Sequence, residues 1–577
     1  MDAAADLLKL AKEKFDELTE AEEKLFRETA NGGIADYSTG DQKADDPANA
    51  GEWAPNRVLR ASRIAWLCTN KQASQFVTHR GIHIKGARID EQFDLMFAKV
   101  PLPLYFEQCK FTAEINFRYA QIVALNMSGT HTGPISADGL KVNGPVYLHN
   151  GFRAEGEVRL LGAGIGGNLD CDNGQFINKG GKALGGDGLK IGGSVFLRDG
   201  FKAEGEVRLF GATIGGSLDC GNGRFINEST EALVADGLDV RGSVFMNKGF
   251  KAEGQVRLFG ATIGVNLDCM EGQFINTGGK ALIADELKVS GGVYLSTGFR
   301  AEGIVSFVGA TIDGYFSLRD VDSPGQMTLD LDTAKIGTLH DKKDGWPAPK
   351  HLVLHGLEYK EISHESPRDP KVRIKWLRLQ QGFWPQPYEQ LAKVLRESGE
   401  GAGARDVLVA KNKDKAKRSK TKLTFTEKCW YRFFGPLIGY GHKPWLAIPL
   451  AVVLILFGSV FFKKGYSHGL MTPPTESAYT EDKSGIPDPG DASRRISETH
   501  PVFNSLVYSI DVFVPLVDLH QVKYWLPNAN RIYEPGQSAL TPLYNGGVLL
   551  AWLWIETACG WVLMTLFLVG LTSLVRT

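Results

Sequence analysis

Asp511, Asp518 and Glu556 stand where ionisable residues are sparse, and Glu556 alone interrupts the apolar run from Gly546 to Val575. A charge in such surroundings is expensive, so Glu556 has to face a partner, water or a polar pathway. Two chemistries fit. Asp511 and Asp518, repeated around an oligomer, can form rings that attract cations. Glu556 can contribute to such a path, or it can tie neighbouring helices together by hydrogen bonds.

Cys171, Cys220 and Cys269 also invite a chemical reading, because each closes a Leu-Asp-Cys triplet and they recur every 49 residues. A metal ladder needs His or further Cys at ligand spacing, and none accompanies them. If each 49-residue unit makes two turns of a stacked coil, equivalent thiols lie on the order of 10 Å apart. A disulfide needs Cα atoms within about 7 Å. Small core thiols are the expected role. There is no Walker loop, no dinucleotide fingerprint and no His-rich metal motif. Ser217 sits in "GGSLDC" without the context of a nucleophile elbow, and Asn168 and Asn266 replace it in sister copies. The chain is expected to be no enzyme and to carry no cofactor and no metal.

Lys411, Lys413, Lys415, Lys417, Arg418, Lys420 and Lys422 form a basic run shortly before an apolar stretch. Next to a bilayer such a run is attracted to anionic lipid, which favours membrane lipids over nucleic acid as its partner. A net charge of −1 likewise argues against a surface tuned throughout to nucleic acid. The first residues, "MDAAADLLKLAKEKFDEL", are charged and lack the apolar core of a signal peptide. The N-terminal region is therefore expected in the cytoplasm, with its thiols reduced.

These residues must be held by recognisable elements. Residues 3–30 read as two short helices, the second opened by a Thr19/Glu22 capping box. Residues 31–57 are polar and read as a linker. The middle of the chain then repeats itself: "GFRAEGEVRLLGAGIGGNLDC" from Gly151, "GFKAEGEVRLFGATIGGSLDC" from Gly200, "GFKAEGQVRLFGATIGVNLDC" from Gly249, and a fading copy from Gly298. Most of the 67 Gly lie in this region. Val207, Leu209, Ala212, Ile214 and Leu218 follow a strand period broken by Gly, which suits a chain winding into a solenoid. This resembles the pentapeptide-repeat family, which implies a right-handed parallel β-helix. The imperfect five-residue rhythm leaves a three-sided and a four-sided coil open. Acids and bases interleave along the repeat, as in Glu157/Arg159 and Glu206/Arg208, so ladders of opposite charge are expected on its outside.

Beyond 360 the pattern turns helical, with helices expected near 369–381, 386–398 and 402–419. Two apolar stretches follow, about 445–462 and 546–575, each long enough to cross a bilayer. Between them about 502–517 is too short to span and reads as re-entrant or interfacial. "SLVYSIDVFVPLVDL" and "WIETACGWVLMTLFLVGLTSLVR" resemble the pore helix and second helix of two-transmembrane cation channels. That family carries a Gly-Tyr-Gly filter after its pore helix, whereas this chain has Pro515-Leu516-Val517-Asp518 there. Gly439-Tyr440-Gly441 precedes the first span and reads as a turn into the bilayer.

The organisation expected is thus 1–57, helical N-terminal cap and linker; 58–360, a mainly β solenoid of 49-residue repeats; 361–443, a helical juxtamembrane connector; and 444–577, a two-span α-helical membrane module. Basic residues before Trp445 place both termini in the cytoplasm of a bacterial-type inner membrane, with 465–545 outside. Two functions fit. One is an oligomeric channel-like pore with a cytoplasmic β-helix sensor. The other is a membrane-tethered scaffold whose solenoid binds protein partners without conduction.

Overall fold

Gln121 pairs in parallel with Lys141, and Ile122 with Val142, so the chain returns to the same ladder after twenty residues. That turn holds four two-residue strands, Gln121–Ile122, Leu125–Asn126, His131–Thr132 and Ile135–Ser136, and each pairs with its counterpart one turn on. The coil therefore has four strands per turn. A computed structural model describes residues 3–418, 424–481, 485–532 and 545–575 of the 577-residue chain. They fall into two units, Met1–Gly403 and Ala404–Thr577.

The first unit is a β-solenoid of two parallel sheets with 23 and 17 strands. Leu169 pairs with Val195, 26 residues on, and Val195 with Leu218, 23 residues on, so two turns make one 49-residue repeat. The residues beyond twenty enter long strands such as Gln175–Gly185, Arg224–Val234 and Gln273–Ile283. Each bulges outward at its middle, and an Asn amide bridges the base of the bulge. Asn178 donates to the Lys182 carbonyl at 2.8 Å, Asn227 to Glu231 at 2.8 Å and Asn276 to Lys280 at 2.9 Å. Gly205 faces the first bulge with φ 129°, and a Cβ there would meet the Asn178 carbonyl at 2.4 Å.

Down the interior runs a column of rings, Phe152, Phe176, Phe201, Phe225, Phe250, Phe274 and Phe299, with successive centroids 5.1 to 5.5 Å apart. Cys171, Cys220 and Cys269 are fully buried free thiols, and burial raises all three well above the usual thiol range. On the outside Arg159 reaches Asp138, Arg208 reaches Asp187, and Arg257 reaches Asp236, each one turn away.

Helices Ala3–Lys14 and Glu20–Asn31 precede the coil, and the Thr19/Glu22 capping box opens the second. Residues 31–57, polar as they are, contribute a strand: Ala35 and Asp36 pair with Ile84 and Lys85. Backbone pairing at a solenoid edge needs no apolar pattern, which is why the sequence hides it. Past the last strand lie helices Pro370–Leu377 and Pro385–Glu397, followed by Gly401–Arg418.

Among the described residues, two helices are long and apolar enough to cross a membrane, Pro444–Ser467 and Gly546–Leu571, both in the second unit. The first continues five residues past Phe462 through Lys463 and Lys464, because polarity does not end a helix. It stops where Gly469 takes φ 70°. Between the helices, Tyr479–Thr480, Ile486–Asp488 and Asp491–Ile496 form a small antiparallel sheet that the Pro- and Ser-rich sequence does not announce. Gly439-Tyr440-Gly441 forms a turn with all three residues at positive φ.

Candidate functional site

The polar residues of the second unit are positioned by three helices. Ala447–Ser467 tolerates Pro449 because a proline in the first turn removes an N–H that has no intrahelical partner. Helix Ser505–Phe513 starts at Asn504, whose side-chain oxygen accepts from the N–H groups of Leu506 and Val507 at 3.1 Å. It ends before Pro515, which disfavours helix at Val514. The third helix is Gly546–Val575.

They meet at Glu556, which is 1% exposed. Trp552 Nε1 donates to Glu556 Oε2 at 2.9 Å. Ser509 Oγ lies between Glu556 Oε1 and the Ile455 carbonyl, the latter at 2.8 Å, so its one hydrogen serves two acceptors. Gly458 makes room, since a Cβ there would stand 2.4 Å from both carboxylate oxygens. Gly560 lets the end of the short helix abut the last one, where a Cβ would fall 1.9 Å from the Phe513 carbonyl. Small residues at crossings and polar atoms bonded between helices are how helices associate in lipid.

The three sequence-selected acids part company here. Glu556 is enclosed by its own chain. Asp511 accepts from the N–H groups of Leu519 at 2.7 Å and Val522 at 2.9 Å, fixing the loop after the short helix. Asp518, on that loop, has a side chain 74% exposed. The His520 N–H at 2.9 Å, above all, holds its carboxyl below the usual range, so it stays ionised.

Of the basic run, Lys413 and Lys417 line a cleft with Lys428 and Arg432, and Lys415 lies over the Tyr431 ring at 5.5 Å. Lys411 and Arg418 share their helix, and Lys420 and Lys422 lie outside the described residues. Among the described residues, no group of His, Cys, Asp or Glu is placed to hold a metal ion.

Sequence reasoning missed Ser509, Trp552 and Gly458. Trp552 was findable, standing one helical turn before Glu556 on the same face. Ser509 and Gly458 come from other helices, and nothing in their local sequence connects them to Glu556. No family model, no curated protein and no solved structure matches this chain.

Proposed function

We propose that the chain is an oligomeric membrane protein in which the β-solenoid is a cytoplasmic sensing or interaction rod and the C-terminal helices form a channel-like pore module. The observation that carries this reading is the short helix Ser505–Phe513. It is too short to span, it contacts both long apolar helices, and it is followed by a loop that Asp511 braces and on which Asp518 is exposed. A ring of Asp518 side chains from several copies would concentrate cations at the mouth of a shared path. Glu556 then serves as an internal brace. The basic residues before the first span favour cytoplasmic termini in an inner membrane of bacterial type. Right-handed coiling of the rod is part of the same reading, as is the absence of catalysis and of any cofactor.

The enclosure of Glu556 within one chain favours a second reading, a membrane-tethered scaffold whose helices only anchor. Recording from purified protein in planar bilayers separates the two. The pore reading expects cation-selective currents that lose selectivity in Asp518→Asn. A folded, membrane-inserted oligomer that passes no current under any voltage or salt condition, or a strict monomer in detergent, assigns the scaffold instead.

A further inference from the structure

Four cations converge on one cleft of the second unit. Lys413 and Lys417 lie one helical turn apart on Gly401–Arg418, and Lys428 and Arg432 lie four residues apart on the segment that leads towards the first apolar helix. Together they line a cleft of about 610 Å³, with Tyr431 and Tyr440 in its wall. Among the described residues no carboxylate lines it, and no ion pair engages any of the four. On the solenoid, by contrast, Arg159, Arg208 and Arg257 each reach an aspartate.

The cleft is built rather than accidental. Lys415 over the Tyr431 ring joins its walls, the Tyr440 hydroxyl donates to the Tyr431 carbonyl at 3.1 Å, and Lys443, three residues past Tyr440, pairs with Asp406 on the helix that carries Lys413. Like charges four residues apart on one face repel, and here two such pairs share one opening. A bound anion relieves that repulsion and accepts hydrogen bonds from three ammonium groups and one guanidinium fork. Tyr at this position before a span belongs to the headgroup layer of a bilayer.

We propose that this cleft binds a phosphate-bearing anion, the phosphodiester headgroup of an acidic membrane lipid. The proposal rests on the membrane reading above and narrows it from a generally attractive basic run to one pocket with four named ligating side chains. A soluble phosphate compound would satisfy the same donors, so the test distinguishes the two sources.

The full chain, purified in a zwitterionic detergent, is titrated calorimetrically with short-chain phosphatidylglycerol, short-chain phosphatidylcholine and inorganic pyrophosphate. Phosphatidylglycerol is expected to bind and phosphatidylcholine not. Lys413→Gln, Lys428→Gln and Arg432→Gln are each expected to weaken binding about fivefold, as befits a charge near a lipid surface. Lys288→Gln/Lys335→Gln removes two exposed charges from solenoid strands and is expected to change nothing. Pyrophosphate that binds more tightly than phosphatidylglycerol, and loses affinity in the same variants, assigns the cleft to a soluble anion. Equal binding of both lipids, or an equal loss in the solenoid control, overturns the proposal. Incorporation of the same preparation into phosphatidylcholine nanodiscs reports separately on the membrane reading. Protein that inserts but shows no anion preference sinks the cleft alone, whereas protein that binds phosphatidylglycerol yet stays out of bilayers sinks the membrane reading and leaves the cleft standing.

Discussion

Arg373 holds both oxygens of Asp341, Nη1 to Oδ2 and Nη2 to Oδ1, each at 2.7 Å, with neither side chain open to solvent. Trp346 Nε1 donates to the same carboxylate at 2.7 Å, and the guanidinium carbon lies 5.9 and 5.4 Å from the Trp346 and Trp376 rings. The pair fastens helix Pro370–Leu377 to the strand Lys335–Asp341 near the end of the solenoid.

Breaking that pair from one side leaves a buried charge alone. Arg373→Met is therefore expected to cost about 3–5 kcal/mol, whereas Arg373→Met with Asp341→Leu should recover much of the loss. Urea unfolding followed by hydrogen exchange at residues 370–377 measures both. If the single substitution behaves like a surface change, the fork is not what fastens the helix.

Phe225 lies between Phe201 and Phe250, 5.2 Å from each. Phe225→Ala empties a fully enclosed site and should cost about 3–5 kcal/mol. Phe210→Ala, at a residue 48% exposed, should stay within about 0.5 kcal/mol. Because a solenoid turn contacts only its neighbours, the loss of exchange protection should begin in strands Lys202–Arg208 and Lys251–Arg257 and fade along the rod. Uniform loss along the whole coil contradicts that picture.

Repetition made the rod legible. The 49-residue interval, the Gly breaks and the buried Leu-Asp-Cys thiols follow from the sequence because each turn reuses one local solution, and the pairing of Leu169 with Val195 and then Leu218 has the two-turn period that interval implies. The phenylalanine column was present in the same repeats but obscured, since Phe152 and Phe176 belong to different turns of one unit. The second unit was less legible. Its apolar helices stand out by composition, whereas the Glu556–Ser509–Gly458 contact joins residues up to 98 positions apart, and such contacts leave no periodic trace. Asp511 reads as a free acid in the sequence, yet backbone donors eight and eleven residues on claim both its oxygens.

The thiols give a chemical check on the rod. Burial pushes Cys68 and Cys109 up to about 12 and holds Cys171, Cys220 and Cys269 well above the ordinary value. The thiolate is the reactive form, so none of the five should be alkylated by iodoacetamide at pH 8 in folded protein, and all should react in guanidinium. Rapid labelling of Cys220 in the folded chain would place it outside the core.

Gly458 and Glu556 make a steric prediction for the second unit. Gly458→Val puts side-chain atoms where the carboxylate lies and should separate the helices, costing several kcal/mol (about 1–3 for overpacking, more for a stranded carboxylate). Glu556→Gln keeps the acceptor for Trp552 and should be tolerated far better than Glu556→Leu, which strands the Trp552 N–H. Thermal unfolding in detergent ranks the three. Equal losses for Gln and Leu would mean that the hydrogen bond contributes nothing.

Asp488 and Arg531 set the acid limit of the segment between the apolar helices. Burial alone would raise the Asp488 carboxyl, but the Arg531 fork at 3.0 and 2.8 Å and the Gly490 N–H at 2.9 Å outweigh it and hold the group below the usual carboxylate range. With its folded value depressed, the pair's contribution is complete above the unfolded carboxylate value, about 4. It drains away as pH falls through the lower folded value, because the unfolded chain then takes up the proton more readily. Protease resistance of residues 486–496 should therefore be level from pH 7 to about 5 and fall below about 4. Arg531→Gln removes the compensating cation and leaves burial dominant, so its resistance should be lower throughout and begin to change at higher pH. Matching pH profiles for the two proteins would show that this ion pair does not govern the segment.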